Sequence, residues 1–337
     1  MRNDTRLKFN RYVAQIATLN GVADASEKFT VTPSIQQKLI DKQQESSAFL
    51  QMINFITVTE QSGGIVGLSV SGTSASRTNT AAGNKRIPAD PSGLDERDYK
   101  CVQTNFDTAL RYDKLDMWAK FPDFQARVQN HLIRLQALDR IRIGWNGTSV
   151  ATATDKTANP NLEDVNIGWL EKLRTEIPAH VMTQGATAGH VYYGAAGDYK
   201  TLDALVWDAT QTLLPNWAKD DPDLVAIVSR DLLHDKYFPL INSDVDPLNQ
   251  LARDVVMSSK RLGNLPAITV PYFPTGKVLV TTLANLSIYQ QEGKSRRYIQ
   301  DAPWNDQVED YQSSNDAYVI ENTDYSCLVE NISLKDS

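Results

Sequence analysis

The chain has only two cysteines in 337 residues, Cys101 and Cys327, far apart in sequence. That excludes a disulfide framework and a thiolate zinc site, and it fits a reducing compartment. Histidine is equally scarce. His131, His180, His190 and His234 form neither HExxH nor an i, i+4 pair that would set two ligands on one helix face. No run approaches the ~18 apolar residues that a membrane helix needs. The first residues, "MRNDTRLKFNRYVAQIATLNG", carry charges and lack the continuous apolar stretch of a secretory signal. The chain is therefore expected to work where it is made, without a membrane partner. N-x-S/T matches, among them those at Asn146, Asn285 and Asn331, then read as coincidence, because glycosylation needs a secretory route.

Catalytic signatures are missing as well. Ser229 ends "DLVAIVS" at a strand-to-helix turn, where a nucleophile elbow would sit, but Ile227 and Asp231 occupy the glycine positions of G-x-S-x-G. Its simpler reading is a helix cap. Asp220, Asp221 and Asp223 could do acid–base work or hold magnesium, yet they surround Pro222 directly before a strand, which is ordinary turn chemistry. Gly63, Gly64 and Gly67 lack the lysine and the helix start of a phosphate loop. Lys294, Arg296 and Arg297 read as a solvated turn, with an inter-subunit salt link as the alternative. No catalytic, metal or cofactor residue is assigned, and no cofactor is expected.

What is present is ordinary for a soluble globular protein: 41% hydrophobic and 22% charged residues, in a length that suggests about two domains. The net charge of −7 argues against broad tracking of nucleic-acid phosphates. Charge is polarised, with five basic and three acidic residues in positions 1–29 but nine acidic and one basic in 300–337. Such polarity reads as a solubility or assembly feature.

Periodicity predicts an amphipathic helix over residues 4–20 through Phe9, Tyr12, Val13, Ile16 and Leu19, stopped by Asn20-Gly21. After the linker "VADASEKF", Thr32-Pro33 marks a second helix start, with threonine as its cap. Residues 1–29 therefore read as a detachable unit. Between Ile56 and Asp98 no aromatic residue occurs, while Gly, Ser and Thr are dense. Alternation at Val66, Leu68 and Val70, and again from Val102 to Tyr112, predicts an extended hairpin arm with a long polar tip. "DFQARVQNHLIRLQALDRIRIGWNG" gives the strongest helix, with a stripe of Phe124, Val128, Leu132, Leu135, Leu138 and Ile141 that ends at Gly144.

Further helices are predicted over "NLEDVNIGWLEKLRTEI", "YKTLDALVWDATQTLL" and "RDLLHDKYFPLIN", with "DLVAIVS" as a buried strand. In "KRLGNLPAITVPYFPTGKVLVTTLANLSIYQQ", alternation at Ile268, Val270 and Tyr272, then Val278 and Val280, then Leu286 and Ile288, predicts successive strands. Pro266, Pro271 and Pro274 fall at strand ends. The class is α+β with a mixed sheet rather than a regular βαβ alternation.

Taken in order, "LDMWAKFPDFQARVQNHLIRLQALDRIRIGWNG", "DYKTLDALVWDATQTLL", "DPDLVAIVSRDLLHDKYFPLIN" and "KRLGNLPAITVPYFP…LANLSIY" resemble the major capsid proteins of tailed phages of the peduovirus type, from about Arg6 to Ile332. The resemblance implies an HK97-like capsid fold. On it, 1–29 would be a scaffold-like segment that is cleaved, 30–60 an N-terminal arm, and 61–112 the E-loop hairpin. Residues 113–159 would be the P domain with its spine helix at 122–143, and 160–285 the A domain with its mixed sheet. Residues 286–337 would return to the P domain and add a last A-domain strand. The implied cleavage falls near Phe29 and Thr30.

The resemblance also implies assembly in the bacterial host cytoplasm into a virion shell of hexamers and pentamers around double-stranded DNA. A scaffolding protein, a maturation protease and a portal protein would be partners, and the chain would not be an enzyme. Two competing readings remain at this point: a cytosolic hydrolase using Ser229 or Asp220/Asp221/Asp223, and a structural binding module that forms no shell.

Overall fold

The computed structural model describes residues 1–70, 92–242 and 260–335, with positions 75, 77, 78 and 85. Of the expected polar hairpin tip, residues 71–98, positions 71–91 lie almost wholly outside the described residues. In chain order the helices are α1 (Asn3–Asn20), α2 (Pro33–Glu45), α3 (Ala48–Met52), α4 (Tyr112–Trp118), α5 (Phe124–Asn146), α6 (Trp169–Glu176), α7 (Leu202–Leu213) and α8 (Arg230–Asn242). The strands are β1 (Phe29–Thr30), β2 (Asn54–Val58), β3 (Ser62–Val70), β4 (Ser92–Lys100), β5 (Val102–Asn105), β6 (Thr108–Arg111), β7 (Val181–Met182), β8 (Val191–Tyr193), β9 (Leu224–Val228), β10 (Arg261–Leu262), β11 (Leu265–Ile268), β12 (Val278–Thr282), β13 (Leu286–Gln291), β14 (Arg296–Ala302), β15 (Gln307–Ile320), β16 (Cys327–Val329) and β17 (Ile332–Leu334).

One mixed sheet runs β10-β11-β9-β12-β16-β7. Its central strands are apolar on both faces, as a strand covered on both sides must be. Ala226, Val228, Val278, Val280, Cys327 and Val329 face one cluster with Leu205, Val206 and Leu233 of α7 and α8. Ile227, Leu279 and Leu328 face a second cluster with Trp169, Leu170 and Leu173 of α6. The other large sheet runs β1-β14-β15-β13-β2, with β5 and β6 also on β15. The 14-residue β15 is its seam: Asp316 pairs with Gln290 of β13 and with Val102 of β5.

The chain passes between the sheets through a turn at Leu283–Asn285, so β12 and β13 are consecutive strands of different sheets. Asn285 is buried there. Its amide donates to the Asn322 carbonyl at 2.6 Å and accepts from the Asn322 N–H at 2.7 Å. The second cluster also takes Leu286, Ile288, Tyr318 and Ile320 from β13 and β15, making it the core common to both sheets.

Several expectations need correction. The long helix was expected at 122–143 but runs from Phe124 to Asn146, through Gly144 rather than stopping at it. A Cβ on Gly144 would lie 2.3 Å from the Trp169 ring, so this glycine admits a neighbour and does not end the helix. The expected stripe also fails in part. Leu135 is exposed and Leu138 half-buried, whereas Ile133, Gln136 and Arg140 point inward. The helix lies against the cluster containing α1 with Phe124, Val128 and Leu132, then against the common core with Ala137, Ile141 and Trp145. A change of partner along the axis turns the buried face.

The returning hairpin strand is β4, not residues 102–112: β3 and β4 pair from Ser62↔Lys100 to Val70↔Ser92. β5 and β6 carry the expected alternation but lie on β15, and Tyr112 opens α4. Two tandem strands and a long arm give the same local period, which carries no information on partner choice. The helix expected from Leu162 begins only at Trp169, because Leu162 holds φ 63° and turns the chain. β11 stops at Ile268, and Tyr272, with φ 61°, sits in a turn. Thr32 precedes α2 as expected, but its hydroxyl makes no capping bond.

Candidate functional site: the N-terminal clasp and the hairpin base

α1 lies with Phe9, Tyr12, Ile16 and Ala17 buried against Phe124, Val128 and Leu132 of α5, Ile299 of β14 and Val308 of β15. Burying each large apolar side chain of this kind contributes about 1.5–3 kcal/mol. Gly21 ends the helix in the left-handed conformation, φ 65°, while the Val22 N–H donates to the Ala17 carbonyl at 3.0 Å.

Polar contacts fix the helix in register. Arg6 pairs with Asp301, whose other oxygen accepts the Tyr112 hydroxyl at 2.5 Å. Burial opposes charge on Asp301, but the hydrogen bonds from Tyr112 and Arg6 outweigh it and hold the carboxyl below its ordinary range. The Lys8 ammonium donates to the Ala119 carbonyl at 2.6 Å. Arg297, expected in a solvated turn, instead donates to both oxygens of Asp310, at 3.1 and 2.6 Å, and to the Tyr12 hydroxyl at 3.1 Å. Burial pushes the Tyr12 phenol up.

Residues 21–31 carry the chain from α1 to α2. The Ala25 carbonyl accepts the Ile299 N–H at 3.1 Å and the Val31 N–H donates to the Ser295 carbonyl at 2.8 Å. Between them Phe29 pairs with Arg297 and Thr30 with Arg296. Phe29 is buried and Thr30 exposed. The two residues expected to flank a cleavage point thus form the edge strand of the large sheet, a placement that residue spacing did not reveal.

The other element of interest is the base of the β3–β4 hairpin. The Arg97 guanidinium is buried and donates to the carbonyls of Ile320 and Glu321 at 2.8 and 2.9 Å, with Glu176 of α6 at 3.5 Å. Tyr99 packs edge-on against Tyr289 of β13, with centroids 5.0 Å apart. These contacts tie the arm to the end of the seam strand and to β13. Sequence reasoning missed Arg97, which sits in the acidic run "LDERD" with no pattern to mark it.

The chemical candidates do not converge. The Ser229 hydroxyl is fully buried and makes no hydrogen bond among the described residues, so it neither caps α8 nor meets solvent as a nucleophile. The cap reading fails because the residue turns its side chain into the core while its N–H donates to the Lys277 carbonyl at 3.1 Å. Asp221 accepts the Asp223 N–H at 2.9 Å, the turn role expected of it. His131 is exposed, with its ring edge-on to Trp118 at 5.5 Å. Burial pushes the Cys101 and Cys327 thiols up to about 12. Among the described residues, no group of three or more His, Cys, Asp and Glu side chains is placed to hold a metal, and no helix is long and apolar enough to cross a membrane.

Comparison with known proteins agrees with this architecture. The chain is 48% identical over 344 residues to the capsid protein of Escherichia phage P2, covering 100% of this chain and 96% of that one. It is 39% identical over 340 residues to the major capsid protein of Serratia phage KSP20, covering 98% and 97%. A subunit in the solved procapsid of satellite phage P4, a particle that includes the size determination protein Sid, superposes with a TM-score of 0.83. It is 46% identical, over 100% of this chain and 99% of that one. The family model for "Phage major capsid protein, P2 family" matches residues 8–332. The fold is that of HK97-like phage capsids, and the chain belongs to the P2 family of phage major capsid proteins, which form the icosahedral shell of the virion.

Proposed function

We propose that many copies of this subunit close into hexamers and pentamers of a procapsid, which matures by cutting near Phe29 and Thr30 and encloses double-stranded DNA. The chain acts as a structural unit rather than an enzyme. An internal scaffolding protein, a maturation protease and a portal protein are its partners. In this reading residues 1–29 are the removable segment, 30–60 the arm and 61–112 the E-loop region, whose hairpin proper is β3–β4. Residues 113–159 form the P domain with α5 as spine, 160–285 the A domain, and 286–337 the return strands.

The observation that supports removal best is the position of β1 at the end of the strand order. An edge strand can leave without disturbing the pairing of the strands behind it. α1 likewise rests on α5, β14 and β15 and interrupts neither sheet. Closed symmetric shells gain stability from many repeated modest interfaces, so a subunit needs a rigid wedge and arms more than a pocket.

Electron microscopy of the chain co-expressed with the family's scaffold and protease tests the assembly. Closed shells are expected, and soluble monomers alone would overturn the reading. Mass spectrometry of mature particles should find Thr30 at the N-terminus, whereas an intact Met1 would refute the cut.

A further inference from the structure

We infer that the junction is a latch: in the folded subunit the Phe29–Thr30 bond is closed to proteases, and it opens only when β1 peels from β14, an event that α1 controls. The biological weight of this inference rests on the proposed cut at Phe29–Thr30, while the latch itself is a property of the fold.

A protease takes its substrate as an extended strand, using the backbone on both sides of the scissile bond and drawing the preceding side chain into a pocket. Here one backbone edge of the strap is taken up by β14 and the pocket side chain is buried. β1 is paired with Arg296 and Arg297. The flanking Ala25 carbonyl and Val31 N–H are bonded to Ile299 and Ser295 of the same edge. Phe29, the side chain that would enter the pocket, is 8% exposed and sits in the cluster with α1. The neighbours Ser26, Glu27 and Lys28 are exposed, so the closure belongs to the bond and not to the whole linker.

The two ends of the strap are held differently. Downstream, α2 is tied to the turn before β14: Gln36, itself buried, donates to the Gln291 carbonyl at 3.2 Å and accepts the Gly293 N–H at 3.3 Å. Upstream, the Ala25 carbonyl is the last backbone tie before α1, whose seat depends on Phe9, Tyr12 and Ile16. In this latch peeling starts from the α1 end, once its apolar seat and its ties to Asp301, Ala119 and Arg297 are released, while the α2 end stays anchored. When opening and closing are fast, cleavage follows the population of the open form.

Chymotrypsin, which cuts after aromatic residues, is a suitable probe, with the new Thr30 N-terminus counted by mass spectrometry. Phe9→Ala loosens α1 far from the bond and should speed cutting after Phe29 about tenfold or more. A second, independent variant carries Thr30→Cys and Arg296→Cys, two exposed positions directly paired across the strands and so within disulfide reach. The native Cys101 and Cys327 are fully buried and will not compete. The oxidised variant should resist cutting after Phe29 about tenfold or more relative to its reduced form. A rate in Phe9→Ala no higher than in the unaltered chain, or equal rates in oxidised and reduced forms, overturns the latch. Because the probe is not the phage protease, these results stand apart from the particle's N-terminus, which tests the cut alone.

Discussion

Arg140 of α5 and Asp316 of β15 form a buried ion pair at 3.0 Å, with their side chains 3% and 1% exposed. The same guanidinium donates to the Ser314 hydroxyl at 2.9 Å and lies over the Phe106 ring, 4.4 Å from its centroid. The Arg140 carbonyl accepts the Tyr318 hydroxyl at 3.0 Å. A long helix is thereby registered on the seam of the large sheet by charge and not by shape alone. Removing one member leaves the other charged and unpaired away from water, which typically costs about 3–5 kcal/mol. Asp316→Ala is expected to lower the urea stability of the unassembled subunit by that amount. The double change Arg140→Met with Asp316→Leu should recover most of the loss, because replacing both members with apolar groups removes the orphan charge.

Gly144 gives a test of opposite sign from helix propensity. In an open helix Gly→Ala gains roughly 1 kcal/mol. Here the added Cβ meets the six-membered ring of Trp169 at 2.3 and 2.8 Å. Trp169 is held by its indole N–H on the Ser287 carbonyl at 3.1 Å and by the Trp145 and Tyr318 rings, at 4.8 and 5.2 Å. It has little room to yield, and overpacking of this kind costs about 1–3 kcal/mol. Gly144→Ala should therefore lower the thermal midpoint and alter the near-ultraviolet circular dichroism of the Trp145–Trp169 pair, whose rings are tilted by 60°.

These two sites mark what the sequence could and could not reveal. The existence of α1, α5, α7, α8 and β9 follows from apolar spacing, because each buries one stripe or both faces against a neighbour. The family likeness was legible from four ordered segments. Partner choice was not. Alternation at Val102–Tyr112 was real, yet it served β15 instead of β3, since a period of two does not name the strand across from it. Nothing in the sequence marks Arg140 or Arg97 as buried, because their acceptors, Asp316 and the Ile320 and Glu321 carbonyls, lie more than 170 positions away in the chain. The linker before Thr30 was visible, but its use as an edge strand depended on the same long-range pairing.

The arm's attachment should respond to Arg97. Two carbonyls at the end of β15 accept from its guanidinium, and hydrogen bonds to a charged donor contribute about 1.5–3 kcal/mol each when buried. Arg97→Ala leaves those carbonyls to find water or stay unpaired. Amide hydrogen exchange should rise over β3 and β4 and stay unchanged in β9 and β12, whose pairing is independent of the arm. Unchanged exchange in β3 and β4 would show that the Tyr99–Tyr289 contact alone holds the hairpin base.

Acid sensitivity should trace in part to Glu330. Burial opposes its charge, but hydrogen bonds from Arg174, at 3.0 and 2.6 Å, and from Lys277, at 2.6 Å, hold the carboxyl below its ordinary value of 4.5. A group whose folded value is depressed stabilises fully above its unfolded value and loses that contribution as pH falls through the folded one. Unfolding midpoints in urea should thus be nearly flat, as far as Glu330 is concerned, from pH 7 to about 5, and fall below that. Glu330→Gln keeps the shape and removes the titration. It should lower stability at pH 7, where Arg174 retains Glu171 at 2.6 Å but Lys277 loses its carboxylate. Its curve should converge on that of the unaltered chain only once pH has fallen through the depressed folded value, below 4.5, where both side chains are neutral. Parallel curves across the whole range would show that other carboxylates, such as Asp301, carry the acid response.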